Sequence, residues 1–195
     1  VIGLDSESGN TIYVALLRGI NVGGKNKIKM AELRTALEKI GLRRVKTYIQ
    51  SGNVLFESPD DESILRQRIE QEIAAVFGIT LTVVMRTAAE MEQIVGHCPF
   101  SPELIAEAAA TCVGESLYVA LLPTDPPPSG IEKLATANNE DDEYHIVGRD
   151  VYLLFRHSVR DAKLSANLQK LGVPATVRNW NTMSKLVELA KELRP

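Results

Sequence analysis

The chain is poor in the residues that hold metals and redox centres. It has two cysteines, Cys98 and Cys112, and three histidines, His97, His145 and His157. The cysteine spacing fits neither a zinc pattern nor a redox C-x-x-C pair, so both thiols are expected to be reduced and to serve packing. No histidine has a second ligand at metal spacing, so neither a metal nor a cofactor is expected. His97 and Cys98 are neighbours in sequence, which does not by itself make a thiolate–imidazolium pair. A serine elbow and paired acids suited to acid–base work are both missing, which leaves no evident nucleophile or base. No apolar run approaches the ~18 residues that span a bilayer. Val1 to Asn10 lacks the basic-then-apolar layout of a signal peptide, so the protein is expected to be cytoplasmic, with no membrane partner. Residues 1–11 begin without methionine and are rich in Ser, Gly and Asp, and they read as a disordered tail or a non-native remnant.

What is present suits a soluble globular chain: 45% apolar and 24% charged residues. A length of 195 residues is comfortable for two small domains. The net charge of −3 argues against a wholesale nucleic-acid coat, but the charge is unevenly spread. Arg18 to Asn53 holds nine Lys or Arg against two Glu, whereas Glu115 to Glu143 holds seven acids against Lys133 alone.

Ile12-Tyr-Val-Ala-Leu-Leu17 is a continuous apolar run rich in strand formers and predicts a strand buried on both faces. Met30, Leu33, Leu37 and Ile40 mark one face of a helix that Gly41 is placed to end. Val45 to Gln50 and Val54 to Glu57 flank Ser51-Gly52-Asn53, a hairpin turn. A helix then follows Pro59-Asp-Asp-Glu and stops at Gly78, and Leu81 to Met85 is a strand. This β-α-β-β-α-β order is the signature of a ferredoxin-like split unit. Thr87 to Val95 and Ser101 to Thr111 predict two linking helices, the second capped by Ser101 with Pro102 in its first turn.

From Leu117 the pattern returns. Tyr118-Val-Ala-Leu-Leu122 repeats Tyr13-Val-Ala-Leu-Leu17 letter for letter. A short helix (131–137), a hairpin turning near Gly148-Arg149, a helix (162–171), a strand (174–178) and a last helix (182–193) complete the second half. Met91, Ile94 and Val95 follow Arg86 at the intervals at which Met183, Leu186 and Val187 follow Arg178. The predicted fold is α+β: an internal duplication of two ferredoxin-like (βαββαβ) units with additional helices, the first over residues 12–113 and the second over 114–195.

The stretch from Arg18 to Met30 is the glycine-rich, amide-rich and basic part of the chain. It carries Arg18, Lys25, Lys27 and Lys29 with no acid among them, and Gly23-Gly24 can expose backbone N–H groups. That combination describes an anion site. Gly19 to Asn26 is one letter from a P-loop, but the final hydroxyl that would bind magnesium is replaced by Asn26, and the antiparallel-rich order is not that motif's parallel sheet. In a split βαβ unit the exit loop of the first strand and the middle hairpin's turn lie at one end of the sheet. Asn21, Gly23, Gly24, Lys25, Asn26, Lys27 and Lys29 are therefore expected beside Gln50, Ser51, Gly52 and Asn53. In the second half the matching loop, Pro123 to Gly130, is acidic and proline-rich. Near the C-terminus Arg178, Asn179, Trp180 and Asn181 concentrate groups suited to planar recognition, though Asn181 or Thr182 also suits a helix cap.

Leu17-Arg-Gly-Ile-Asn-Val-Gly-Gly-Lys-Asn26, Tyr48-Ile-Gln-Ser-Gly-Asn-Val54 and Val177-Arg-Asn-Trp-Asn-Thr182 resemble the motifs of domain-of-unknown-function family 1697, mostly bacterial proteins. The resemblance runs from about Tyr13 to Leu193, and it departs at His97-Cys98, where an asparagine is expected before Pro99-Phe100. It implies a two-lobed α+β cytoplasmic protein and brings no activity with it. Three readings follow from the residues. In the first, the basic loop binds a phosphate-bearing partner: a nucleotide, a phosphorylated metabolite or a nucleic-acid backbone. In the second, an enzyme acts on such a ligand, with Arg18 and Arg178 stabilising developing charge. In the third, the protein is a scaffold for another protein and has no small-molecule ligand.

Overall fold

The computed structural model describes residues 9–138 and 141–195. Most of the expected N-terminal tail, residues 1–8, lies outside the described residues. The chain divides into two compact units, residues 1–89 together with 189–195, and residues 90–188. It is a mixed α+β protein with two four-stranded antiparallel sheets and, among the described residues, seven α-helices.

The first unit runs β1 (Thr11–Leu17), α1 (Met30–Lys39), β2 (Arg43–Tyr48), β3 (Asn53–Ser58), α2 (Glu62–Phe77) and β4 (Val83–Thr87). Its sheet order is β2-β3-β1-β4, with every neighbouring pair antiparallel. β1 is central. Tyr13, Ala15 and Leu17 meet Leu33 and Leu37 of α1 and Leu65, Ile69 and Ile73 of α2 in one core. Val14 and Leu16, on the opposite face, are also fully buried. The unbroken apolar run of β1 is thus the consequence of two covered faces rather than one. β2, at the edge, bulges between Arg43 and Lys46, where Arg44 takes φ +52°. The C-terminal residues tie to this strand: Arg44 donates to the Leu193 carbonyl, and Lys46 Nζ lies 3.2 Å from Glu192 Oε2.

The second unit contains most of α3 (Ala88–Gly96), then α4 (Pro102–Thr111), β5 (Leu117–Leu121), α5 (Pro128–Ala137), β6 (Glu143–Val147), β7 (Asp150–Leu154), α6 (Lys163–Asn167), a 3-10 turn (Leu168–Leu171), β8 (Thr176–Asn179) and most of α7 (Trp180–Glu192). Its sheet order, β6-β7-β5-β8, repeats the first with each strand's counterpart in the same place. Ser101 caps α4 as predicted, its Oγ accepting from Leu104 N at 3.2 Å.

Several boundaries move: β2 is Arg43–Tyr48 rather than 45–50, β8 is Thr176–Asn179 rather than 174–178, and the helix expected over 162–171 is α6 followed by a 3-10 turn. α5 starts at Pro128 rather than Ile131, because Pro127 in extended backbone leads into a proline whose fixed φ suits the first helical turn. α7 starts at Trp180 rather than Thr182. Its cap is Asn179, whose Oδ1 accepts from Thr182 N at 2.8 Å, not Asn181 or Thr182.

The correspondence between the sheets extends to single bonds. Leu17 N donates to Gly52 O at 2.8 Å, and Leu122 N donates to Arg149 O at 2.9 Å. Arg86 sits opposite Val14 and Arg178 opposite Val119. Each arginine is buried, and each donates from Nη1 to the carbonyl before it, to Met85 O at 2.8 Å and Val177 O at 3.0 Å.

Candidate functional site

The loop leaving β1 is a built structure. Val22 and Lys25 form a one-bridge hairpin closed by Lys25 N donating to Val22 O at 3.0 Å, with Gly23 at φ +59° and Gly24 at φ +76°. Positive φ at both central positions is the type I′ pattern, which glycine adopts without steric cost. Asn21 N donates to Asn26 O at 3.1 Å beneath this turn. Ile20 and Ile28, 1% and 2% exposed, pin the loop's two ends to the core.

The side-chain amides are engaged inside the protein. Asn21 Nδ2 donates to Ile28 O at 3.0 Å and Gln50 O at 2.8 Å, while its Oδ1 accepts from Ile28 N at 2.9 Å. Asn26 Nδ2 donates to Gly19 O at 3.1 Å. Asn53 is fully buried and donates to Tyr48 O at 2.9 Å and Ser51 Oγ at 3.0 Å. These three asparagines shape the loop and the turn. Asn53→Ala removes bonds from a buried turn, and a loss of about 1–3 kcal/mol is expected in urea unfolding.

The loop and the β2–β3 turn meet, because β1 and β2 run the same way on either side of β3. Between them opens a cleft of about 590 Å³, lined by Asn21, Gly24, Lys27, Ile28, Lys29, Glu32 and Gln50. Lys25 and Lys27 are exposed, and among the described residues their ammonium groups have no carboxylate within ion-pair distance. Lys29 Nζ is 4.0 Å from Glu32 Oε1, with both side chains mostly in solvent. Lys29 also precedes α1 as its N-cap, and no side chain caps that helix. Arg18 is exposed beside the loop, its backbone N donating to Thr82 O at 3.4 Å. Ile28 and Glu32 line the cleft without having stood out in the sequence. The signal for Glu32 was its place in the first turn of α1, on the side the incoming loop must face.

Arg178, Asn179 and Asn181 belong to the second unit. Arg178 is 9% exposed, and burial pulls its guanidinium down to about 10. Asn179 caps α7, and Asn181 Nδ2 donates to Glu115 Oε1 at 2.7 Å. Trp180 lies against Tyr152, ring centroids 6.5 Å apart. The P-loop-like spacing falls in an antiparallel sheet with Asn26 to Lys29 between Lys25 and α1, so the geometry of that nucleotide motif is not reproduced.

The two motifs that line this cleft lie within a match, over residues 11–152, to the family described as protein of unknown function (DUF1697). The chain belongs to that family. A search of curated proteins gave no match for this DUF1697 chain. Among solved structures it is similar to conserved bacterial protein SP0830 from Streptococcus pneumoniae, at 25% identity and a TM-score of 0.69, covering 93% of this chain and 99% of that one. Among the described residues of this DUF1697 protein, no three His, Cys, Asp or Glu side chains cluster to hold a metal ion. No described helix is long and apolar enough to cross a membrane.

Proposed function

We propose that this DUF1697 protein is an anion-binding module whose ligand carries a phosphate, held where the Gly23-Gly24 turn and the lysine loop border the cleft. One observation carries the reading: two exposed ammonium groups, Lys25 and Lys27, stand without carboxylate partners among the described residues, on a glycine turn closed by backbone hydrogen bonds that leave the ammonium groups unused. Cations held beside a glycine turn retain their attraction for an incoming anion when no internal acid neutralises them. The first turn of α1, which no side chain caps, adds N–H groups near the cleft, with its dipole offset by Glu32. In this reading Gly23, Gly24, Lys25, Lys27 and Lys29 contact the ligand. Asn21, Asn26, Gln50, Ser51, Gly52 and Asn53 hold the shape.

The test is a thermal-shift titration with inorganic phosphate and with a short oligonucleotide on the intact chain and on a Lys25→Ala, Lys27→Ala variant. The intact chain should gain stability with ligand concentration, by about 2.7 kcal/mol at a hundredfold excess over Kd. The variant should bind at least about tenfold more weakly, each exposed charge being worth roughly 1 kcal/mol. Equal responses from the two proteins would end the anion reading. An oligonucleotide response that collapses with added salt would point to a nucleic-acid backbone. Val22 and Ile49, 65% and 47% exposed beside the same loop, favour the scaffold reading in one respect, since apolar tips suit protein contacts. That reading requires no phosphate response at all.

We also propose that the two sheets are a duplicated ferredoxin-like βαββαβ unit, with the sequence repeat restarting near Gly114. Three correspondences support it: shared strand order, the Leu17 and Leu122 backbone bonds, and the buried Arg86 and Arg178.

A further inference from the structure

The cleft is lined by groups of two chemistries, and an inorganic phosphate answers only one of them. Gly24, Lys27 and Lys29 line it, with Lys25 next to Gly24 in the chain. Glu32 lines it too, a carboxylate whose cation partner, Lys29, is at the 4.0 Å limit of an ion pair. An ionised carboxylate accepts hydrogen bonds and donates none, so what faces Glu32 must bring donors and must not be negative. Gln50, also in the lining, offers a carbonyl oxygen that Asn21 Nδ2 only grazes at 3.4 Å, together with an NH₂ group. Ile28 adds apolar surface to the lining. Its volume of about 590 Å³ falls within the roughly 300–1,000 Å³ of small-molecule sites, far more space than one phosphate ion fills.

We infer that the cleft takes a phosphomonoester of a hydroxyl-bearing body, a sugar phosphate or the ribose phosphate of a nucleotide, with the phosphate on the lysines and Gly24 and the hydroxyls donating to Glu32 and Gln50. This rests on the anion-binding reading and adds the chemistry of the rest of the ligand. A bare dianion is repelled by Glu32, and a neutral sugar gains nothing from Lys25 and Lys27. Only a molecule with both parts satisfies both kinds of lining group.

The experiment compares inorganic phosphate, ribose 5-phosphate, adenosine 5′-monophosphate and ribose by isothermal titration on the intact chain and on Glu32→Gln. On the intact protein ribose 5-phosphate should bind at least about tenfold more tightly than inorganic phosphate, as one hydrogen bond to a charged group is worth roughly 1.5–3 kcal/mol. Glu32→Gln should tighten phosphate, by removing a repulsive charge, and weaken ribose 5-phosphate, so that the preference falls to about threefold or less. A general loss of structure cannot move the two ligands in opposite directions. Adenosine 5′-monophosphate binding more tightly than ribose 5-phosphate assigns the ligand to nucleotides, and the reverse to sugar phosphates. If phosphate binds but ribose 5-phosphate binds no better, or the variant leaves the ratio unchanged, this inference falls while the anion reading stands. If phosphate and the esters all fail to bind, both fall.

Discussion

Gly130→Ala is expected to lower the stability of the protein by about 3 kcal/mol, the range of a core that is overpacked against rigid neighbours. Two effects oppose each other at this position. Gly130 lies in α5, and alanine is a better helix residue than glycine by about 1 kcal/mol. A Cβ there would lie 2.2 Å from Leu171 O and 2.7 Å from Leu171 C, atoms of the 3-10 turn that packs on α5. Those are main-chain atoms, so no rotamer change relieves the overlap and the whole turn must shift. Leu168 and Leu171 in that turn belong to the second unit's core, which would open with it. The overlap therefore outweighs the propensity gain. Urea unfolding followed by circular dichroism decides the matter. A midpoint equal to or above the wild type's would show that α5 and the turn are not held together as described.

Gly52→Ala is expected to cost about 2–3 kcal/mol and, on the proposed anion-binding reading, to weaken phosphate binding as well. Gly52 takes φ +89°, where a side chain is strained by roughly 1–2 kcal/mol. The added Cβ would also lie 2.5 Å from Ile20 Cδ1 and 3.0 Å from Leu17 Cβ. Ile20 Cδ1 is the far end of a side chain and can give way, but Ile20 is 1% exposed and anchors the loop that carries the lysines. Moving it displaces the Gly23-Gly24 turn. Leu17 Cβ cannot move without β1. A calorimetric melt with and without phosphate reads both effects together. Loss of stability with unchanged phosphate affinity would separate the turn from the binding site and contradict the anchoring role of Ile20.

Much of the architecture was legible in the sequence because it rests on local pattern. The apolar run of β1, the helical spacing from Met30 to Ile40 and the glycine of the β6–β7 turn each carry their own signal, and the repeated Tyr-Val-Ala-Leu-Leu set the second unit's register. The starts of α5 and α7 were less legible. Proline in the first helical turn looks like a loop when flanked by other prolines, and consecutive Asn, Trp, Asn and Thr residues offer several possible caps. The candidate site was half legible. Its place followed from strand direction, whereas the roles within it did not.

By itself the sequence determined where positive charge and glycine coincide, and that this happens directly after a strand buried on both faces. Only the tertiary structure decided that Asn21, Asn26 and Asn53 spend their amides on the protein's own carbonyls, and that Glu32 lines the same cleft as Lys27. The physical reason is that an amide or a carboxylate has the same composition and spacing whether its partner is a ligand or a main-chain atom. Its role is set by which atoms come within about 3 Å. For Asn21 the deciding partner is Gln50, far along the chain, brought within reach by the pairing of β1 with β3.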